Sequence, residues 1–283
     1  MNDKQNRALD TLLATDAYKL DHRRQYPQGT EFVYSNLTAR GTRVSGIDAT
    51  VFFGLQAYLQ RLAQNWQVFF DLTGAELEPV LEGYERFVAT LFGPNSIGVQ
   101  HFRELHAVGY LPLRIRAARE GSLIPLRVPY LTVENTDARF FWLTNYFETQ
   151  LSAELWQPIT SATIAWNNRR LLEERARRSG ELGAVQFQGH DFSYRGMAGD
   201  EAAAASSAGH LISFTGTDVL PAIRYIERFY PGNNGELIGA SVPATEHSVM
   251  CAGGQDGELE TFERLLDLYP VGILSVVSDT WDL

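Results

Sequence analysis

The chain has 283 residues, 45% of them hydrophobic and 20% charged, an ordinary composition for a soluble globular protein with one large or two medium domains. Its 24 Lys and Arg against 34 Asp and Glu give a formal net charge of −10, which argues against DNA and RNA and leaves phosphorylated metabolites open where individual arginines gather. No apolar run approaches the roughly 18 residues of a membrane helix. The polar start MNDKQNRALD lacks the apolar core of a secretory signal, and the single cysteine, Cys251, can form no internal disulfide. The expectation is a cytoplasmic protein that engages neither membrane nor nucleic acid.

In chain order, Thr15 or Asp16 can cap a short helix carrying Tyr18, His22 and Tyr26 on one face. Residues 31–37 read as a strand, and 54–70 and 74–92 have helical periodicity, the second stopping before Gly93-Pro94. Strands are expected at 110–118 and 122–133. An aromatic-rich helix at 138–156 is expected to end at Pro158, before a charged helix at 160–178 that ends at Gly180.

From there the pattern alternates strand and helix: strands at 183–188, 211–214, 237–241 and 271–277, helices at 200–209, 219–230 and 256–268. Such alternation predicts parallel pairing with right-handed crossovers. A closed eight-fold barrel needs twice as many units, so the expected class is α/β: an α+β N-terminal domain over residues 1–180, then the first half of a (β/α) barrel over 181–283. The last strand is expected to form an uncovered apolar edge.

In parallel α/β folds, ligands gather at the C-terminal ends of strands. There the sequence places GHDFSYRG (189–196), TGTD (215–218), VPATEHS (242–248) and SDTWD (278–282). These loops offer Asp191, Phe192, Arg195, Asp218, Glu246, His247 and Asp279. Each has a plainer reading. Asp218 can cap the next helix, His247 can be a structural histidine, Arg195 can pair with Asp191, and Phe192 can belong to a core. By themselves the loops indicate an α/β enzyme acting on a small ligand.

At TDAYKLDHRRQYP (15–27), VFFGLQAYL (51–59), VENTDARFFWLTNYFETQLSAELWQPITSAT (133–163), HDFSYRG (190–196), FTGTD (214–218), SVPATEHS (241–248) and SVVSDTWD (275–282), the sequence resembles the nicotinamide phosphoribosyltransferases, type II phosphoribosyltransferases. The similarity runs from about residue 12 to the last residue. It implies transfer of a phosphoribosyl group from phosphoribosyl pyrophosphate to nicotinamide, giving nicotinamide mononucleotide and pyrophosphate through an oxocarbenium-like transition state. Catalysis would be positioning and electrostatics.

The resemblance implies that Phe192 and Tyr18 sandwich the pyridine, with Tyr18 supplied by the second subunit of a homodimer. Arg195 would contact the carboxamide and phosphate region, and Arg40 the phosphates across the dimer. Asp218 would accept a hydrogen bond from the amide and repel a nicotinate carboxylate. His247 would be phosphorylated by ATP, with Glu246 biasing its protonation. Ser241 would contact substrate, and Ser275 and Asp279 would lie near pyrophosphate, Asp279 with Mg²⁺.

Relatives continue beyond the point matching Leu283 with an Arg-Pro-Asp-Ser-Gly stretch, a Gly-Asp pair and a glycine-rich phosphate loop. The chain is therefore expected to be an N-terminal portion with little turnover alone. Two alternatives stay open: a nicotinate-specific enzyme, and a non-catalytic half-barrel that binds or regulates.

Overall fold

The structure, a computed structural model, describes residues 1–230, 235 and 237–281. Asp282, in the expected fourth loop, lies outside the described residues.

The polar N-terminus forms helix α1 (Asp3–Leu13), which the residue pattern does not announce. It begins with a capping box: Asn2 Oδ1 accepts from the Gln5 amide at 2.9 Å, and the Gln5 side chain accepts from the Asn2 amide at 2.8 Å. A 3₁₀ turn (Ala17–Asp21) and α2 (His22–Gln25) replace the single helix expected for Tyr18, His22 and Tyr26. Asp16 stands at the cap position without making a cap bond. Tyr26 is already extended and packs edge-on against Phe141 instead.

Strands β1 (Tyr34–Thr38) and β2 (Ala49–Val51) precede α3 (Leu55–Phe70), α4 (Gly74–Phe92) and α5 (Gln100–Val108). Helix α4 carries a second capping box, between Thr73 and Glu76. Then come β3 (Leu113–Ala117), β4 (Leu123–Pro125) and β5 (Pro129–Asn135). The single strand expected at 122–133 is two strands, because Arg127 turns the chain at φ 67° with its amide on Ala39 O, 2.8 Å away. An antiparallel sheet of order β1-β5-β3 and a separate β2-β4 pair result. With the helices they enclose a core built on Trp66, Phe69, Tyr84, Phe102 and Phe140.

The aromatic segment expected as one helix is a 3₁₀ turn (Ala138–Phe140), α6 (Leu143–Tyr146) and the start of α7 (Glu148–Ser179). Pro158 does not break α7. Its buried ring rests on Gly54, where a Cβ would come 3.0 Å from Pro158 Cγ. Tertiary packing thus offsets the missing N–H. One turn on, Thr163 Oγ1 accepts from the Val51 amide at 2.9 Å, tying β2 to the helix.

After Gly180, α8 (Val185–Gln188), β6 (His190–Asp191), α9 (Asp200–His210), β7 (Gly216–Thr217), α10 (Leu220–Phe229), α11 (His247–Cys251) and α12 (Glu258–Leu268) follow. The expected helices stand; the expected strands do not keep their bounds. Residues 183–188 contain a turn of helix, and 211–214 extend α9 by further turns, with the Leu211 amide on Ser207 O and the Ser213 amide on His210 O. Extended pairing begins only at His190 and Gly216.

The order of pairing survives in miniature. β6 is parallel to β7, Gly216 bridges Ala240, and Ala244 bridges Ser275, all in parallel. In the fourth expected strand, Val271 is 87% and Ile273 73% exposed, and the pairing described is at Ser275, near its end. Among the described residues no helix is long and apolar enough to cross a membrane.

Helix α9 is pressed onto α7 by its small residues. A second core joins Val51, Phe53, Ala57 and Ala162 to Ala204, Ala205, Ala208, Tyr225 and Phe229, so it spans Gly180 in sequence. At Gly209 a Cβ would meet Pro158 O at 2.6 Å. Gly209→Ala must push the helices apart, and the expected cost is about 1–3 kcal/mol, read as a lower urea midpoint.

In the first core, burial with help from the nearby Arg23 charge pushes His101 down to about 3 from 6.5. A histidine depressed in the folded state contributes stability in full above its unfolded pKa and loses it as pH falls toward the folded one. Stability should therefore decline below about pH 6.5 with a slope of at most ~1.4 kcal/mol per pH unit from this group. His101→Phe removes that component, which denaturation at neutral and mildly acidic pH measures.

Candidate active site

The parallel pair β6-β7 brings the first two loops together. The Asp218 amide donates to Asp191 O at 3.0 Å, so the residues following each strand project from one edge. Gly216 makes the approach possible: a Cβ there would lie 2.8 Å from both Gly189 O and His190 Nδ1. From this edge Phe192, Tyr194, Arg195, Asp218 and Val219 line a cavity of about 410 Å³, a size suited to a small-molecule ligand.

Asp218 is not a helix cap. The start of α10 is held by Thr217, whose Oγ1 accepts from the Val219 amide at 2.9 Å, and no side chain caps the helix. The Asp218 carboxylate accepts instead from Ser241 Oγ. His190 Nε2 lies 3.2 Å from the same Oδ1, yet off the hydrogen-bonding direction and without a partner among the described residues. The His190 ring stacks under Phe192 at 4.5 Å and 30°, and Phe192 leaves 69% of its surface open.

Nor does Arg195 pair with Asp191. Arg195 is exposed on the 3₁₀ turn Ser193–Gly196, and no carboxylate pairs with it among the described residues. Burial alone would raise the Asp191 pKa. Hydrogen bonds from Ser207 and Ser193 and the His210 charge outweigh it and hold the carboxyl below its ordinary range. Burial lowers the pKa of His210, against the opposing pull of Asp191, and its Nε2 meets Gly216 O at 3.1 Å. When Nε2 carries a proton it donates to that carbonyl, so His210 staples α9 to β7.

The third and fourth loops form a second cluster. The Thr245 amide donates to Ser275 O at 3.0 Å, and the Val277 amide to Thr245 Oγ1 at 2.9 Å. This zipper sets His247 Nε2 at 3.0 Å from Asp279 Oδ1, both side chains 64% exposed. Glu246, expected to bias the imidazole, accepts from Ser248 instead; the carboxylate on His247 is that of Asp279. Ser275 is exposed, its backbone spent on the zipper.

Tyr18 and Arg40 do not line the cavity. Tyr18 is 58% exposed on its 3₁₀ turn, anchored by the neighbouring buried Lys19, whose ammonium meets Glu148 at 2.6 Å and Asn145 O at 3.0 Å. Arg40 is exposed just beyond β1. His190, His210 and Ser207 are the site residues that reading the loops alone passes over. His190 is the first residue of the HDFSYRG motif, and its place there is the one available signal.

Gly216→Ala forces a Cβ against the backbone and imidazole across the ladder. The expected loss is about 1–3 kcal/mol of stability together with loss of the ring-current shift that His190 imposes on Phe192, both measurable by denaturation and NMR.

Residues 10–115 match the family model of the nicotinamide phosphoribosyltransferase N-terminal domain, and residues 187–272 match that of the nicotinate phosphoribosyltransferase family. A nicotinamide phosphoribosyltransferase of Acinetobacter baylyi is 52% identical over 97% of this chain and 55% of its own length. One of Xanthomonas campestris is 33% identical over 97% of this chain and 56% of its own. The chain thus spans about half the length of these relatives. Human nicotinic acid phosphoribosyltransferase shares the fold, with TM-score 0.50 and 21% identity over 83% of this chain and 40% of that one.

Proposed function

We propose that the chain belongs with the nicotinate and nicotinamide phosphoribosyltransferases and carries the pyridine-reading part of a nicotinamide phosphoribosyltransferase, acting in the cytoplasm in NAD salvage. On this reading residues 1–180 form an N-terminal mixed domain and 181–283 the first half of the barrel. The observation that carries the substrate is Asp218: an uncapping carboxylate, 42% exposed, on the same cavity wall as Phe192 and Arg195.

Nicotinamide would stack on the open face of Phe192. Its amide N–H would donate to Asp218, while Ser241 holds the other carboxylate oxygen in place. A nicotinate carboxylate would meet an unpaired like charge there. Arg195, free of Asp191, is left to meet a carbonyl or phosphate oxygen. Tyr18 and Arg40, neither of which lines the cavity, would reach the ligand from the partner of a homodimer.

Phosphoribosyl transfer breaks the bond from ribose C1 to pyrophosphate as the pyridine nitrogen bonds to C1. Positive charge gathers on the sugar and negative charge on the leaving pyrophosphate, so residues that place the two reactants contribute most. Among the described residues no three carboxylate, histidine or cysteine side chains converge. A single exposed carboxylate still suits Mg²⁺, which prefers few protein ligands with water and phosphate completing its shell. Asp279 would hold the ion, with Ser275 nearby, and the ion when bound neutralises the pyrophosphate. With Nε2 turned to Asp279, His247 leaves Nδ1 free for a phosphoryl group from ATP.

Equilibrium titration with both pyridines tests this reading. The wild type should prefer nicotinamide to nicotinate by at least about 100-fold, and Asp218→Asn should shrink that preference to about tenfold or less. Phe192→Ala should weaken both ligands by roughly tenfold, the worth of a stacked aromatic pair. A wild type that prefers nicotinate overturns the assignment.

A further inference from the structure

We propose that His190 is a positioning residue that holds both halves of the pyridine-recognition site, the aromatic platform and the amide-reading carboxylate, in one register. The inference rests on the reading of this cavity as a pyridine site.

Three observations converge on this imidazole. Its ring lies against Phe192 with centroids 4.5 Å apart and planes 30° apart, covering the face of Phe192 that the cavity does not use. Its Nε2 is buried, has no hydrogen-bond partner among the described residues, and sits 3.2 Å from Asp218 Oδ1. Its backbone pairs with Gly216 in the ladder, and only a residue without a Cβ at 216 leaves room for its ring. An orphaned buried polar atom carries a penalty of about 1–3 kcal/mol. Here the nearest group able to relieve it is the carboxylate itself.

The misalignment of the contact is informative. Ser241 already donates to Oδ1. A small rotation of the Asp218 carboxylate brings Oδ1 into line with His190 Nε2–H and turns Oδ2 outward to the cavity. Hydrogen bonds of this kind are commonly loose without ligand and tighten in the complex. Ligand stacking on Phe192 presses the platform against the imidazole, and the imidazole in turn fixes the carboxylate that reads the amide. On the other side of the ring, His190 and Asp191 also face a groove of about 700 Å³ that runs along α7 past Trp156 and Ile164. The imidazole thus lines this groove and backs Phe192, which lines the smaller cavity.

Two substitutions separate the two roles. His190→Phe keeps a ring beneath Phe192 and removes the nitrogen. It should leave nicotinate binding within about threefold of wild type while the nicotinamide preference falls at least tenfold. His190→Gln keeps a donor and removes the ring. It should weaken both pyridines by a similar factor, about tenfold, and retain the preference. A purely structural role predicts that both variants lose both properties together, and that result overturns the proposal.

A ligand-independent measurement guards against variants that fail to fold. In the wild-type chain, imidazole ¹⁵N NMR of neutral His190 should show the proton on Nε2, and Asp218→Ala should return the ring to a mixture of tautomers. An unchanged tautomer in Asp218→Ala also overturns the proposal. If the wild type binds neither pyridine while the tautomer still responds to position 218, the ligand reading fails and the positioning role stands.

Discussion

Everything at the site depends on a four-residue parallel contact, His190-Asp191 against Gly216-Thr217. Parallel strands bring their C-terminal ends to the same edge, so pairing these residues places Phe192 beside Asp218 without further instruction. The contact is short and parallel pairing is slightly weak per residue, so it cannot hold itself. What fixes it lies on both sides. His210 reaches from the end of α9 to Gly216 O, Ser207 hydrogen-bonds to Thr217 at 3.0 Å, and Phe214 is buried against Gly189. Helix α9 is in turn clamped to α7 through Gly209 and Pro158.

That chain of support explains why a proline is tolerated in the middle of a 32-residue helix. The turn around Pro158 is the meeting point of two cores, with Gly54 on one side and Gly209 on the other. Backbones approach there more closely than side chains would permit. The hydrogen bond that proline forfeits is offset by burial of its ring between the first core and α9, an instance of packing overriding local propensity. The same small-residue packing lets α9 sit near enough for His210 to reach the ladder. A local irregularity in α7 is therefore coupled to site geometry through one layer of contacts.

Helices with strong periodicity and good boundaries were legible from the sequence: 74–92 is reproduced to the residue because Thr73 and Glu76 cap one end and Gly93-Pro94 close the other. The strands of the second half were legible in order but not in position. Short apolar runs such as AVQF and LISF suit a buried strand and a helical turn equally, and periodicity cannot separate them. Pro158 misled because a breaker rule knows nothing of the neighbours that accommodate it. At the site, the motifs gave the rim residues, and geometry then sorted their partners. Asp279 faces His247 because the third and fourth loops are zipped by Thr245 and Ser275, a pairing between segments thirty residues apart that adjacency in sequence, which favoured Glu246, could not reveal.

The two clusters at the strand ends differ in a way that bears on how each would work. The first is braced: Asp218 accepts from Ser241 with the His190 ring beside it, Phe192 has that imidazole behind it, and Asp191 has its own serines. Bracing of that kind suits discrimination, since a carboxylate kept facing the cavity would repel a nicotinate carboxylate. The second is open, its histidine and aspartate exposed to solvent and bound chiefly to each other. An open imidazole oriented from one side by a carboxylate suits a group that must be charged and discharged by a phosphoryl donor. Rigidity is thus concentrated where selection between two similar pyridines would be made, and access is left where a large anionic donor would have to enter.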